Sequence, residues 1–252
     1  MSDKLQNSNT GLGKTNSNLT GSKLGQGLMS GHLGALGKIE LPRMFNQLVI
    51  FLLDGSGSMT FPGATGKSKG QEVHQAVINV LERLNASKNK SSFDVAFWGF
   101  ANETIEMFPV QPIKDYNLTK DCFNPCEYIT DYTKTNLNEV LGYVRTQTDT
   151  YLQKHEGQNT KVLIIILGDG AIHDYKSAFV LKEELGNNPL IYFSSILFES
   201  PTWEDQYDAN SINNVKKDFS KLASTDADYM STVDPEKIRN HMIQSITKVS
   251  KI

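Results

Sequence analysis

Asp54, Ser56 and Ser58 stand at alternate positions in "FLLDGSGSM", residues 51–59, with glycines between them. Three small oxygen donors at i, i+2 and i+4 can grip a hard metal, cradle a phosphate or arm a nucleophile. Further along, Asp169 ends the apolar run "IIILGD", and Thr135 stands in "YTKTNLNEVL". Oxygen donors without Cys or His favour Mg2+, Mn2+ or Ca2+ over zinc. Two carboxylates at one rim need a cation between them, or one of them must keep a proton. The phosphate and nucleophile readings fail on spacing. "SNTGLGKT" and "FPGATGKS" carry Ser8 and Phe61 where a phosphate loop needs Gly. Asp54 stands where a nucleophile elbow needs its first Gly.

The elements that must position these residues follow from hydrophobic periodicity. "QLVIFLL" (47–53) and "KVLIIIL" (161–167) are continuous apolar runs of strand length, as in strands covered on both faces. A helix after the first places Val73, Ala76, Val77, Val80, Leu81 and Leu84 on one stripe. "SFDVAFWGFA" (92–101) and "TIEMFPV" (104–110) read as a hairpin, followed by an irregular polar stretch over about 111–134. A helix from Asn136 would put Thr135 at its start, and further helices are expected near 174–185, 211–223 and after the cap "DPEK". Strands at 190–198 and "DYMST" complete the alternation. This order predicts a three-layer α/β/α sandwich with a Rossmann-like, mostly parallel six-stranded sheet and one antiparallel edge strand. If the two apolar runs are neighbours where strand order reverses, Asp54 and Asp169 share the rim at which open sheets bind ligands.

The chain has 252 residues, a formal net charge of -3 and basic residues spread along its length, which argues against nucleic acid as a partner. No apolar run approaches the roughly eighteen residues of a membrane span, and the start lacks a signal-like apolar core, so the expectation is a cytoplasmic protein with no membrane contact. Cys122 and Cys126, the two cysteines present, read as free thiols. Residues 1–40 hold eight of the nineteen glycines and lack periodicity. They read as a flexible tail or a segment ordered by a partner, ahead of a domain over 46–252.

"DGSGSM", "KTNLNEVL" and "IIILGDG", in that order on this strand pattern, resemble the metal-ion-dependent adhesion site of von Willebrand factor type A domains. The resemblance covers about residues 46–250. It implies that Asp54, Ser56, Ser58, Thr135 and Asp169 form a metal site, with Ser56 and Ser58 on the metal. It further implies Mg2+, with Mn2+ or Ca2+ as alternatives, and an open position that accepts a carboxylate from a protein partner. Such a domain is a non-enzymatic adaptor that binds without transforming. The family commonly has Gly before the Thr and Thr before the second Asp; this chain has Lys134 and Gly168 there.

Two other functions compete. An assembly subunit would be held mainly by residues 1–40, with the metal site secondary. A haloacid-dehalogenase-like phosphotransferase also ends a strand in Asp and has a late acidic motif like "LGDGAIHD", with Asp169 and Asp174. That chemistry wants a second Asp two residues after the nucleophile, where this chain has Ser56. Among other residues, His173 reads as a surface loop residue, Trp98 and Phe100 as core, and Trp203 as a loop aromatic open to a partner. Glu199, Glu204, Asp205 and Asp208 read as an acidic surface.

Overall fold

The computed structural model describes residue 43, residues 45–206 and residues 208–251. The tail read at residues 1–40 lies outside the described residues. Six strands, β1 (Asn46–Asp54), β2 (Phe93–Phe100), β3 (Thr104–Pro112), β4 (Thr160–Gly168), β5 (Ile191–Phe198) and β6 (Tyr229–Thr232), form one sheet in the order β3-β2-β1-β4-β5-β6. Every neighbouring pair is parallel except β2 with the edge strand β3. The helices are α1 (Lys69–Asn85), α2 (Asn138–Lys154), α3 (Tyr175–Gly186), the short α4 (Trp203–Gln206), α5 (Ala209–Leu222) and α6 (Pro235–Lys251).

All nine residues of β1 are buried. The pleat divides them between two cores. Val49, Phe51 and Leu53 pack with α1 and α6 on one face, and Leu48, Ile50 and Leu52 pack with α2, α3 and α5 on the other. The chain leaves β1 for β2 on one side and reaches β4 on the other, so strand order reverses between β1 and β4. Helix α1, after β1, and helix α3, after β4, lie on opposite faces, and the two loops diverge above this point. Asp54 and Asp169 are the residues left at the parting.

The stretch over 111–134, expected to be irregular and polar, is largely exposed or half-buried but is anchored to the core by a few buried side chains. Phe123 is fully buried, with its ring centroid 4.8 Å from that of Phe97 and 5.2 Å from that of Phe108. The Tyr116 hydroxyl donates to the Val95 carbonyl at 2.8 Å. These anchors are aromatic and widely spaced, so no short-range period announces them. Phe123→Ala removes a ring from a close-packed cluster and is expected to destabilise the fold by about 3–5 kcal/mol in urea unfolding. A loss below about 1 kcal/mol would mean that this segment is not part of the core.

Candidate functional site

Asp54 is fully buried at the end of β1. Its Oδ1 accepts a hydrogen bond from the Ser56 amide at 2.8 Å, while Oδ2 has no hydrogen-bond partner. Burial first, and the negative charge of Asp169 second, push the Asp54 carboxyl up to about 7, against the weaker pull of the Ser56 amide and hydroxyl and of the nearby Asp169 amide. The glycines beside it allow close approach. A Cβ at Gly55 would clash with Ile129 Cδ1, and one at Gly57 would lie 3.2 Å from Tyr132 Cδ2. The Gly55 amide donates to Phe100 O at 2.9 Å and the Gly57 amide to Tyr132 O at 3.1 Å. The loop "DGSGS" is thus clamped between β2 and the 125–132 segment.

Ser58 and Ser56 lie with their hydroxyls 3.1 Å apart, and Ser58 Oγ donates to Asp169 Oδ1 at 2.6 Å. The other Asp169 oxygen, Oδ2, accepts from Lys69 Nζ at 2.7 Å. The Lys69 side chain is 2% exposed and that of Asp169 is fully buried. Lys69 is the first residue of α1, whose start is fixed by a capping box between Ser68 and Gln71. The loop before it is held by Glu72, which accepts from the Thr65 amide at 2.7 Å and from its hydroxyl at 2.5 Å. Sequence reasoning about the site missed Lys69. A signal existed: Lys69 lies four residues before Val73, in phase with the buried stripe Val73, Ala76, Val77 and Val80.

Thr135 is not at a helix start as expected, because α2 begins at Asn138. It lies in a loop held from across the site. The Thr135 amide donates to His173 Nδ1 at 3.0 Å and its carbonyl accepts from the His173 amide at 2.9 Å. Asp174 accepts from the amides of Leu137 and Asn138, both at 2.8 Å, and so satisfies the open donors at the start of α2. His173 is exposed, as expected, but its ring fixes the Thr135 loop. Exposed Lys134 takes no part in that clasp.

At Gly168 a Cβ would lie 3.0 Å from Asp54 Oδ2 and 2.9 Å from Phe219 Cζ. The missing side chain is the room that Asp54 and Phe219 use, so this departure from the family pattern is compensated by packing.

Ser58, Thr135, Asp169 and Lys69 line a cavity of about 410 Å3 whose apolar wall includes Phe61, Trp203, Ile212 and Val215. Trp203, expected in an exposed loop, is buried in α4 and forms part of that wall. The acidic surface expected around it is partly committed to the fold: Glu199 pairs with Lys216 at 3.0 Å and Asp208 caps α5. Among the described residues no group of three or more His, Cys, Asp or Glu side chains forms a metal cluster. The donor set present is instead two carboxylates with three hydroxyls, a hard-oxygen set suited to Mg2+ or a similar cation. The unpartnered, buried Asp54 Oδ2 fits such an ion, since a cation is what would allow both carboxylates to stay charged.

The folded chain holds the Asp54 proton to higher pH than the unfolded chain does, because its carboxyl is raised from 3.8 to about 7. Asp54 therefore lowers stability progressively as pH rises through that window and costs most above it. Asp54→Asn is expected to remove this fall, making the metal-free variant more stable than wild type at pH 8 but not at pH 4 in chemical unfolding. A wild type that is the more stable of the two at pH 8 in EDTA would contradict the assignment.

A family model for the von Willebrand factor type A domain matches residues 49–237. Comparison with curated proteins gave no match. Among solved structures, proximal thread matrix protein 1 from the mussel byssus is 16% identical with a TM-score of 0.56, over 81% of this chain and 46% of that one. A further structure of that protein is described as having a zinc-occupied adhesion-site motif. The pilus adhesin SpaC from Lactobacillus rhamnosus GG is 10% identical with a TM-score of 0.62, over 83% of this chain and 31% of that one. The PilB minor pilin from Streptococcus sanguinis is 12% identical with a TM-score of 0.59, over 83% of this chain and 62% of that one. This chain spans less than two thirds of each of these proteins, and at such identities they show a shared fold. With the family model covering most of its length, the chain belongs to the von Willebrand factor type A domain family.

Proposed function

We propose that this chain is a non-enzymatic protein-interaction module in which Asp54, Ser56, Ser58, Thr135 and Asp169 hold a divalent cation. The proposed ion is Mg2+, with Mn2+ or Ca2+ as alternatives, and through it the site takes a carboxylate from a partner protein. The unpartnered Oδ2 of buried Asp54, beside a second carboxylate and two hydroxyls, is the observation that supports this most strongly. When bound, the ion supplies positive charge and an exchangeable position for an outside oxygen. The three hydroxyls are neutral, so the chain's own anionic ligands are limited to Asp54 and Asp169, and the open position can still take an outside acid. Apolar walls from Phe61, Trp203, Ile212 and Val215 suit a partner segment whose acidic side chain is flanked by apolar residues. An intracellular adaptor setting belongs to the same proposal.

An affinity capture from the native source, with the full chain as bait, tests this. The partner is expected in Mg2+, and to be lost in EDTA and with Asp54→Ala, while circular dichroism shows that the variant is folded. Capture indifferent to both treatments would contradict the metal mechanism. Loss of the partner only on deletion of residues 1–40 would favour the assembly-subunit reading instead.

The phosphotransferase reading is less well supported. Ser56 stands two residues after Asp54, and Asp174 is engaged in capping α2. Phosphatase turnover in Mg2+ is expected to be absent, and turnover abolished by Asp54→Asn would reverse the assignment.

A further inference from the structure

Lys69 is a strange choice for the first turn of a helix. The amide ends there carry partial positive charge, so a buried ammonium gains nothing from the helix and loses its hydration. Its side chain is nonetheless 2% exposed and directed to one atom, Asp169 Oδ2, at 2.7 Å. Ser58 takes the other oxygen of the same carboxylate. Both oxygens of one of the two proposed acidic ligands are therefore already engaged by donors from the chain itself. The other acid, Asp54, is left with an unpartnered oxygen. One tethered positive charge thus serves one of two carboxylates.

We propose that Lys69 is a built-in competitor of the divalent cation: its ammonium holds Asp169 in a metal-free closed state and must leave Asp169 before the ion can bind. This inference deepens the proposed function and rests on its metal-site reading. An ammonium and a divalent ion cannot share Asp169 without strong repulsion at a partly dehydrated site. The side chain has somewhere to go, since Lys69 lines the same cavity as Thr135 and Asp169. A lysine is flexible enough for this exchange, with four rotatable carbons and a compact charged end. Swung into the cavity, the ammonium would stand near an arriving partner carboxylate and add a second positive contact. Metal loading would then expose a charge that the closed state conceals, so cation level and partner capture would be coupled.

Two measurements on the full chain test the competition. Titration calorimetry with Mn2+ compares wild type with Lys69→Met. Removing a like charge at such a site is expected to tighten Mn2+ binding roughly tenfold or more. In parallel, acetylation of Lys69 in the wild-type chain is followed by mass spectrometry with and without Mn2+. Release of the ammonium is expected to raise its labelling relative to exposed lysines such as Lys88. This second readout stands even if Lys69→Met does not fold. Equal or weaker Mn2+ binding by a folded Lys69→Met that still binds overturns the competition and leaves the metal site standing. No rise in Lys69 acetylation up to the highest Mn2+ the protein tolerates also overturns it. Absence of binding to wild type and folded variant alike overturns the competition together with the metal-site reading.

Discussion

Two carboxylates meet where the chain parts between β1 and β4, and the local structure is arranged around their shared charge. Asp54 is fixed by the sheet, because it ends β1 in register with Phe100 of β2. Asp169 follows β4 by one residue on the neighbouring strand. Burial raises the cost of charge on both. The fold answers with hydroxyls, with amides and with a single ammonium, and the answer is incomplete at Asp54 Oδ2. That incompleteness is what the proposed cation would fill.

The surrounding segments act as supports for this pair of charges. Ile129 packs against Gly55 and Tyr132 against Gly57, so the 125–132 segment holds the serine loop in place. His173 and Asp174 hold the Thr135 loop against the end of β4. Glu72 and the capping box fix the start of α1, and with it Lys69. Rigid supports around a site keep its donors preorganised, so less free energy is spent on ordering them when a ligand arrives.

The strands, the single antiparallel edge strand and the two carboxylates at strand ends were legible in the sequence because they follow from apolar runs and their alternation with helices. Runs such as residues 161–167 have one sensible place, a strand covered on both sides. The three signature segments then name the five candidate residues, Asp54, Ser56, Ser58, Thr135 and Asp169, without any knowledge of contacts. What escaped depends on distant partners. Lys69 reads as a surface residue by type, and only its phase with Val73 and Val77 shows that it faces inward. Trp203 looks like a loop residue until α5 supplies the wall beside it. The roles of Gly55 and Gly168 lie in the close approach of Ile129, Asp54 and Phe219, which no spacing along the chain encodes. The 111–134 segment has a polar composition, yet its few aromatic residues carry its packing.

The most direct test is a crystal structure of the full chain grown with Mn2+, with diffraction recorded to locate the ion by its anomalous signal. An anomalous peak between Asp54 and Asp169, contacting the hydroxyls of Ser56 and Ser58, with Lys69 Nζ moved off Asp169 Oδ2, is the expected result. A map with no peak there, and with Lys69 still paired to Asp169 at high Mn2+, would show that the ammonium is the permanent occupant. The site would then be a structural ion pair and not a metal-dependent docking point.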